Sequence, residues 1–253
     1  MRETDAFFHA LRFMTILPVR DGDTLDADWL THASKYFSAV GIVVGLASAI
    51  VFALASRYWG GLVPAVLAVA ASAALTGALH EDGLADTADG FGGGRSREAR
   101  LAIMKDSRLG TYGALAVGFS VALRIAALAL MTPSFAWAAL IAAHAGARAA
   151  ATWAMNRLPY AGDPSATRIT YSEATLDRSG AMTALLVALA ALLPALFKAP
   201  SALFAGLIFA ALATLAVVAL ARRLIGGYTG DVLGAVEQAT EVAFLLGLAA
   251  GAH

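Results

Sequence analysis

The residues best suited to chemistry lie in one polar stretch, residues 80–110, HEDGLADTADGFGGGRSREARLAIMKDSRLG. Asp82, Asp86 and Asp89 recur at intervals of four and three, so a helix would place their side chains on one face. Three carboxylates that close repel one another unless a cation holds them together, and Mg²⁺ is bound by oxygen ligands of this kind. The spacing therefore predicts a metal site in this stretch.

The same stretch carries groups suited to phosphate. Lys105 and Arg108 supply positive charge, and the three glycines of 92–94 allow the backbone to pass close to a bulky ligand. His80 could bind a metal or act as a base, or it could only position its neighbours. Metal-binding carboxylates with cations nearby are typical of phosphoryl transfer.

A solvated loop at a membrane surface is the alternative interpretation of residues 80–110. It explains Arg95, Arg97 and Arg100 better than a catalytic role does, but it explains the acids poorly, because Asp and Glu contribute little to membrane topology. The three glycines are not followed by Gly-Lys-Ser/Thr, and the EF-hand spacing is absent. P-loop nucleotide hydrolysis and EF-hand calcium binding are therefore not supported.

A second candidate group is Gly226-Gly227-Tyr228-Thr229-Gly230-Asp231. Glycines around a threonine and an aspartate favour a tight turn with exposed amides, which could bind an anion or a metal. We take Gly227 and Thr229 as candidates for substrate binding. The alternative is a simple turn between helices, with Asp231 as the N-cap of the second helix.

Ionisable residues also interrupt the apolar segments. Arg148 lies deep in one of them and is a candidate for substrate binding. Glu237 and Glu241 are one turn apart in the last segment, and intramembrane carboxylates are costly unless they face a polar interior. The sequence leaves two roles open for them, as a metal ligand or base, or as a partner of Arg124 or Arg148.

Composition predicts the fold class, an all-α, polytopic integral membrane helical bundle. The chain has 253 residues, 59% of them hydrophobic, with a mean hydropathy of +0.71 and no cysteine. A span takes about 20 apolar residues. Seven segments qualify: Tyr36–Ser56, Leu62–Leu79, Thr111–Met131, Ser134–Met155, Ala181–Phe197, Ser201–Ala221 and Val232–Ala250.

Charge is unevenly divided between the two sides that seven spans would create. Residues 1–35, 80–110, 156–180 and 222–231 fall on one side and carry fourteen of the eighteen Lys and Arg. The positive-inside rule makes that side, and the N-terminus, cytoplasmic. Residues 1–253 thus form a single membrane-embedded domain, with an amphipathic N-terminal segment over 1–35 and a cytoplasmic catalytic loop over 80–110.

Four blocks, in the right order, resemble the cobalamin synthase family, adenosylcobinamide-GDP ribazoletransferase. The blocks are HEDGLADTADG from His80, IMKDSRLGT from Ile103, ALRFMT from Ala10 with the following Pro18-Val19, and GGYTGDVLG from Gly226. Glu81 departs from the family pattern, which usually has an apolar residue there, and Ser38 stands where proline is common.

The resemblance implies a reaction that joins adenosylcobinamide-GDP to α-ribazole, or to its 5′-phosphate, and releases GMP. It also implies a requirement for Mg²⁺. On that basis Asp82, Asp86 and Asp89 are expected to hold Mg²⁺. Asp106 could complete the metal site or help deprotonate the ribose hydroxyl, and Asp231 could bring a further ligand. The family also implies small-molecule substrates and the bacterial inner membrane.

The sequence has features in common with proteins of two other functions. A CDP-alcohol phosphotransferase has a similar cluster of aspartates, but its alanine-arginine pair and later Asp-x₃-Asp are missing here. A transporter would concentrate polar residues near the middle of the membrane, whereas most of them lie outside the spans. Membrane lipid is an expected partner, nucleic acid is not, and a homo-oligomer is left open.

Overall fold

The computed structural model describes residues 2–19, 28–163 and 175–251, and over these ranges it is helical with no strand. The all-α prediction is therefore confirmed. The described helices are α1 Glu3–Met14, α2 Trp29–Ser34, α3 Phe37–Ala55, α4 Val63–Thr76, α5 Leu79–Gly93, α6 Arg97–Met104, α7 Thr111–Ala129, α8 Pro133–Arg157, α9 Arg178–Lys198, α10 Pro200–Leu224 and α11 Gly230–Gly251.

Five of the described helices, α3, α7, α9, α10 and α11, are long and apolar enough to cross a membrane, and there are six if α4 and α5 together make one bent span. Large apolar side chains such as Phe197, Phe204 and Leu212 point outward, as lipid-facing residues do. The chain is a polytopic membrane bundle. The number of seven spans and the cytoplasmic N-terminus stay predictions.

Helix α4 ends earlier than the sequence predicted. It stops at Thr76, three residues before the predicted end of that span, because Gly77 and Ala78 both adopt left-handed backbone angles, with φ of 61° and 56°. Its 14 residues extend only about 21 Å, less than the apolar thickness of a bilayer. The chain turns by 88° at this break and continues as α5.

Most of residues 80–110 is helical, in place of the predicted loop. Helices α5 and α6 form most of it, and α5 packs against α7 and α11. The glycines that suggested a loop instead allow close helix packing. A Cβ on Gly83 would lie 2.8 Å from the carbonyl oxygen of Asp231, and one on Gly234 would lie 3.2 Å from the Cα of Gly83. The two helices therefore meet backbone to backbone, directly beside Asp82 and Asp231.

Buried ion pairs join α5, α7 and α11. The guanidinium of Arg124 on α7 is 1% exposed and donates to Glu81 on α5 at 3.1 Å and to Glu241 on α11 at 3.3 Å. The amide of Gln238 donates to the same Glu81 oxygen at 3.3 Å. Glu81, the residue that departs from the family pattern, is thus held by two side chains of the bundle interior.

Helix α8 joins this network from the other side. Arg148 places Nη1 2.8 Å from a carboxylate oxygen of Glu237, and His144 places Nδ1 3.1 Å from Glu241. Of the two roles that the sequence left open for Glu237 and Glu241, the structure shows pairing with arginine. The ligand atoms of His144, Glu237 and Glu241 lie within 4.8 Å of one another, but both carboxylates already have a guanidinium partner.

The segments that were predicted on one side of the membrane meet at one end of the bundle. Arg97 on α6 donates to the carbonyl oxygens of Ile225 and Ala161, each at 2.8 Å, and so ties together three of these segments. Helices α1 and α2 pack over the same end, where Leu11 and Leu30 are buried in one apolar cluster.

Substituting Gly83 by alanine should separate α5 from α11, because the added methyl group would meet the backbone of Asp231. We expect Gly83→Ala to lower the unfolding temperature in detergent. The matched control is Gly118→Ala on α7, where a Cβ meets nothing within 4 Å, so that alanine should be neutral or stabilising by up to about 1 kcal/mol. Equal effects of the two substitutions would contradict the close crossing.

Removing Arg124 should leave Glu81 and Glu241 buried without their shared guanidinium. We expect Arg124→Met to cost about 3–5 kcal/mol of unfolding free energy, the usual loss when one partner of a buried ion pair is deleted. Adding Glu81→Leu should recover part of that loss. Denaturant unfolding in detergent measures both, with the exposed Arg222→Met as control. A fully stable Arg124→Met protein would show that the network does not hold these helices.

Candidate functional site

Two cavities lie at the end of the bundle where these segments meet, and Asp231 lines both of them. This aspartate is in the first turn of α11, next to the crossing with α5. A group bound in one cavity and a group bound in the other can therefore approach each other at its carboxylate. The arrangement suits a reaction between two molecules.

The larger cavity, of about 540 Å³, is the more polar of the two. Its wall includes Lys105 and Arg97 from the region of α6, Asp163 from the segment after α8, and Thr229 from the turn before α11. The guanidinium of Arg97 is occupied by two backbone carbonyls, so Lys105 is the cation on this wall that is placed to meet a phosphate. Lys105 is exposed, as a residue that binds a substrate from solution must be.

The smaller cavity, of about 260 Å³, is mostly apolar. Phe13 from α1 and Phe37 from α3 stack at 5.9 Å between ring centroids and form part of its wall. Its polar lining comes from Asp82, Asp231, His80 and Arg148. The sequence did not point to this cavity. Phe13 lies in the predicted amphipathic segment over 1–35 and Phe37 in the first predicted span, and neither was predicted as a site residue.

Three of the predicted metal ligands come together at the helix crossing. The carboxylate of Asp86 is close enough to Asp82 and Asp231, and to Asp89 on its own helix, to be repelled by all three. Asp82 is exposed, and Asp86 and Asp231 are half-buried. A cation between them would relieve this repulsion, and the donor set consists of carboxylate oxygens, which suits Mg²⁺. Their role as metal ligands stays a prediction.

Asp89 has structural contacts that the sequence did not reveal. Its two carboxylate oxygens accept hydrogen bonds from the amides of Gly110, at 2.7 Å, and Gly113, at 2.9 Å, at the start of α7. A Cβ on either glycine would collide with the carboxylate. The negative charge therefore caps the positive end of α7. A metal ion bound by Asp89 would have to share these two oxygens with the amides of Gly110 and Gly113.

Asp106 pairs with Arg108 and lines neither cavity. The guanidinium Nε donates to both carboxylate oxygens at 3.0 Å. These hydrogen bonds lower the pKa of Asp106 to about 2. A carboxylate with so low a pKa is a weak base at neutral pH, so this contact disfavours the deprotonating role that was proposed for it. Arg108 is itself 87% exposed along its side chain.

The turn before α11 is held by backbone contacts. Gly227 is buried against the carbonyl oxygen of Pro159, where any Cβ would collide, and the amide of Tyr228 donates to that oxygen at 2.9 Å. The hydroxyl of Thr229 accepts from the amide of Val232 at 3.3 Å, so Thr229 caps α11. The proposed cap at Asp231 is therefore replaced by Thr229, which leaves Asp231 directed to the cavities.

His80 and Arg148 connect the apolar cavity to the buried ion pairs. His80 is 5% exposed at the start of α5, and Arg148 is 1% exposed in the middle of α8. Both also line the small space among the ion pairs, which leaves no room for a water molecule. Arg148 was predicted to bind substrate. The structure places it at the cavity wall, with its charge already paired to Glu237.

Comparison with known proteins agrees with these features. The family model described as cobalamin-5-phosphate synthase matches residues 6–249. No solved structure matches the chain.

Three relatives are each named adenosylcobinamide-GDP ribazoletransferase. The one from Bradyrhizobium diazoefficiens is 43% identical over 95% of this chain and 92% of its own. One from Shewanella baltica is 41% identical over the same shares, and one from Shewanella frigidimarina is 39% identical over 99% and 97%. The chain thus belongs to the cobalamin-5-phosphate synthase family, and it is a transferase of cobalamin synthesis.

Proposed function

We propose that this protein joins adenosylcobinamide-GDP to α-ribazole, or to its 5′-phosphate, and releases GMP. A ribose hydroxyl oxygen forms a bond to the phosphorus that is attached to cobinamide. The bond from that phosphorus to the phosphate of GMP breaks in line, and the hydroxyl loses its proton. The products are GMP and the completed nucleotide loop of adenosylcobalamin, with or without a 5′-phosphate.

The observation that carries this proposal is the position of Asp231 between the two cavities. The polar cavity, with Lys105 on its wall, suits the charged pyrophosphate of the donor. The other cavity opens onto the same carboxylate. A donor phosphorus and an acceptor hydroxyl bound on the two sides would therefore meet beside Asp231, Asp82 and Asp86, with their reacting atoms held close together.

We further propose that Asp82, Asp86 and Asp231 hold Mg²⁺, with Asp89 as an additional ligand. When bound, the ion would neutralise charge that develops on the phosphate oxygens and on the departing GMP. The protein's part is to keep these carboxylates together on two helices that cross without intervening side chains. Lys105 would offset further phosphate charge from the opposite wall.

The proposed location is the bacterial inner membrane, with the site facing the cytoplasm. The uneven distribution of Lys and Arg supports this orientation, because the cation-rich segments line the whole of the larger cavity and half of the smaller one. Cytoplasmic nucleotide-linked substrates could then reach the polar cavity without crossing the bilayer.

The structure gives little support to the transporter alternative. Arg124, Arg148, Glu237 and Glu241 would have to line a path, but they are paired with one another and enclose no space for water. A CDP-alcohol phosphotransferase is the nearer chemical analogy, because its reaction also breaks a pyrophosphate with clustered aspartates. The match of the cobalamin-5-phosphate synthase model to residues 6–249 favours the cobinamide substrate.

Replacing Asp82 by asparagine should lower GMP release at least about 100-fold, the order found when one group that stabilises transition-state charge is removed. The protein should still insert and fold, because Asp82 is exposed. The control is Arg95→Gln, an exposed residue of the same region that lines neither cavity, and it should do much less. Near-normal turnover by Asp82→Asn would contradict the metal role.

Purified protein in detergent, given adenosylcobinamide-GDP, α-ribazole and Mg²⁺, should release GMP in proportion to the cobalamin formed. A chelator in excess of Mg²⁺ should stop the reaction, and added Mg²⁺ should restore it. Because detergent micelles enclose no compartment, GMP release excludes a protein that only transports. Release of CMP from a CDP-alcohol, with no reaction of cobinamide, would favour the alternative enzyme.

A further inference from the structure

The mostly apolar lining of the smaller cavity is not explained by the phosphate chemistry of the proposed reaction. The cavity has about 260 Å³ of space and is lined by residues of α1, α2, α3, α5, α8 and α11, with apolar side chains from α1, α2, α3 and α8 among them. The charged parts of the donor would lose their hydration in an apolar chamber without gaining partners there. This chamber calls for an occupant with an apolar part and a polar end.

Volume restricts what can enter. Pockets for drug-sized ligands range from roughly 300 to 1,000 Å³, so a space of about 260 Å³ suits a small group better than a corrin ring or a whole nucleotide-linked corrinoid. It can hold a flat group of one or two fused rings. The stacked rings of Phe13 and Phe37 on its wall provide a surface for such a group.

The polar end of the chamber determines the orientation of that group. Asp82 and Asp231 lie on its lining, and Asp231 also faces the polar cavity. A nucleoside whose base lies among the apolar side chains would direct its ribose to these carboxylates. Its hydroxyl groups would then lie on the boundary with the polar cavity, where the donor phosphate is expected.

From this arrangement we infer that the apolar chamber is the binding site for the aromatic base of the acceptor nucleoside. The inference depends on the proposed function, since it assigns one of the two proposed substrates to one of the two cavities. It adds that the protein selects its acceptor by the size of the base, because the chamber limits that size.

The test is to fill the chamber. Ala151 on α8 is 5% exposed and lines it, so Ala151→Leu should raise the KM for α-ribazole at least about tenfold, the scale of a few methylene groups in an apolar pocket. The KM for adenosylcobinamide-GDP should stay unchanged. A riboside with a single-ring imidazole base should recover much of the lost activity. The matched control is Ala149→Leu, which adds the same volume to α8 but lines neither cavity.

A second variant enlarges the chamber, and it keeps the inference testable if Ala151→Leu does not fold. Met155 also lines the chamber, so Met155→Ala should lower the KM for a riboside with a three-ring base relative to α-ribazole. Direct binding of each riboside to the protein, measured by calorimetry in detergent, should follow the same order.

Two results would overturn the inference. One is an active Ala151→Leu protein with an unchanged KM for α-ribazole, which would assign the chamber to another occupant such as a lipid chain. The other is an equal rise in the KM of both substrates. If the wild-type protein releases no GMP with any acceptor, the proposed function itself fails. That outcome can be told apart from the two above, because both of them require an active protein.

Discussion

The arrangement of this site depends on the buried ion pairs in the middle of the bundle. Helix α5 brings the charge of Glu81 into the interior of the bundle, where the carboxylate meets the guanidinium of Arg124, the kind of partner that a buried charge requires. Arg124 also holds Glu241 on α11. The network therefore sets the position of α5 against α11, and the carboxylate of Asp82 follows directly after Glu81 in the chain.

Close packing at two glycines brings the acidic residues of α5 and α11 together. Because Gly83 and Gly234 carry no side chain, α5 and α11 touch through their backbones. Asp82 and Asp86 on one helix then lie near Asp231 on the other, and these acids repel one another. The free energy of the buried pairs thus holds like charges together in a form that a divalent cation could stabilise.

The same crossing separates two environments with opposite properties. One cavity is polar, with Lys105 on its wall, and the other is lined by apolar side chains, among them Phe13 and Phe37. Asp231 is common to both. A single carboxylate at the boundary of a more polar cavity and a mostly apolar one suits the joining of a charged donor to an aromatic acceptor, as proposed for this family member.

The chain alone determined the helical membrane fold, the family, and the four segments that meet at one end. Apolar length, charge distribution and motif spacing are local properties, so they can be counted along the sequence. The sequence also grouped Asp82, Asp86 and Asp89, since all three share one face of one helix.

Only the tertiary structure decided how these residues are used. It showed that Asp89 caps α7, that Asp106 is paired with Arg108, and that residues 80–110 are mostly helical. It also revealed the apolar chamber. The cap on α7 and the apolar chamber depend on which residues from distant parts of the chain lie opposite, and no local pattern carries that information. The Asp106–Arg108 pair joins near neighbours in the chain, but the sequence does not show which way the two side chains turn.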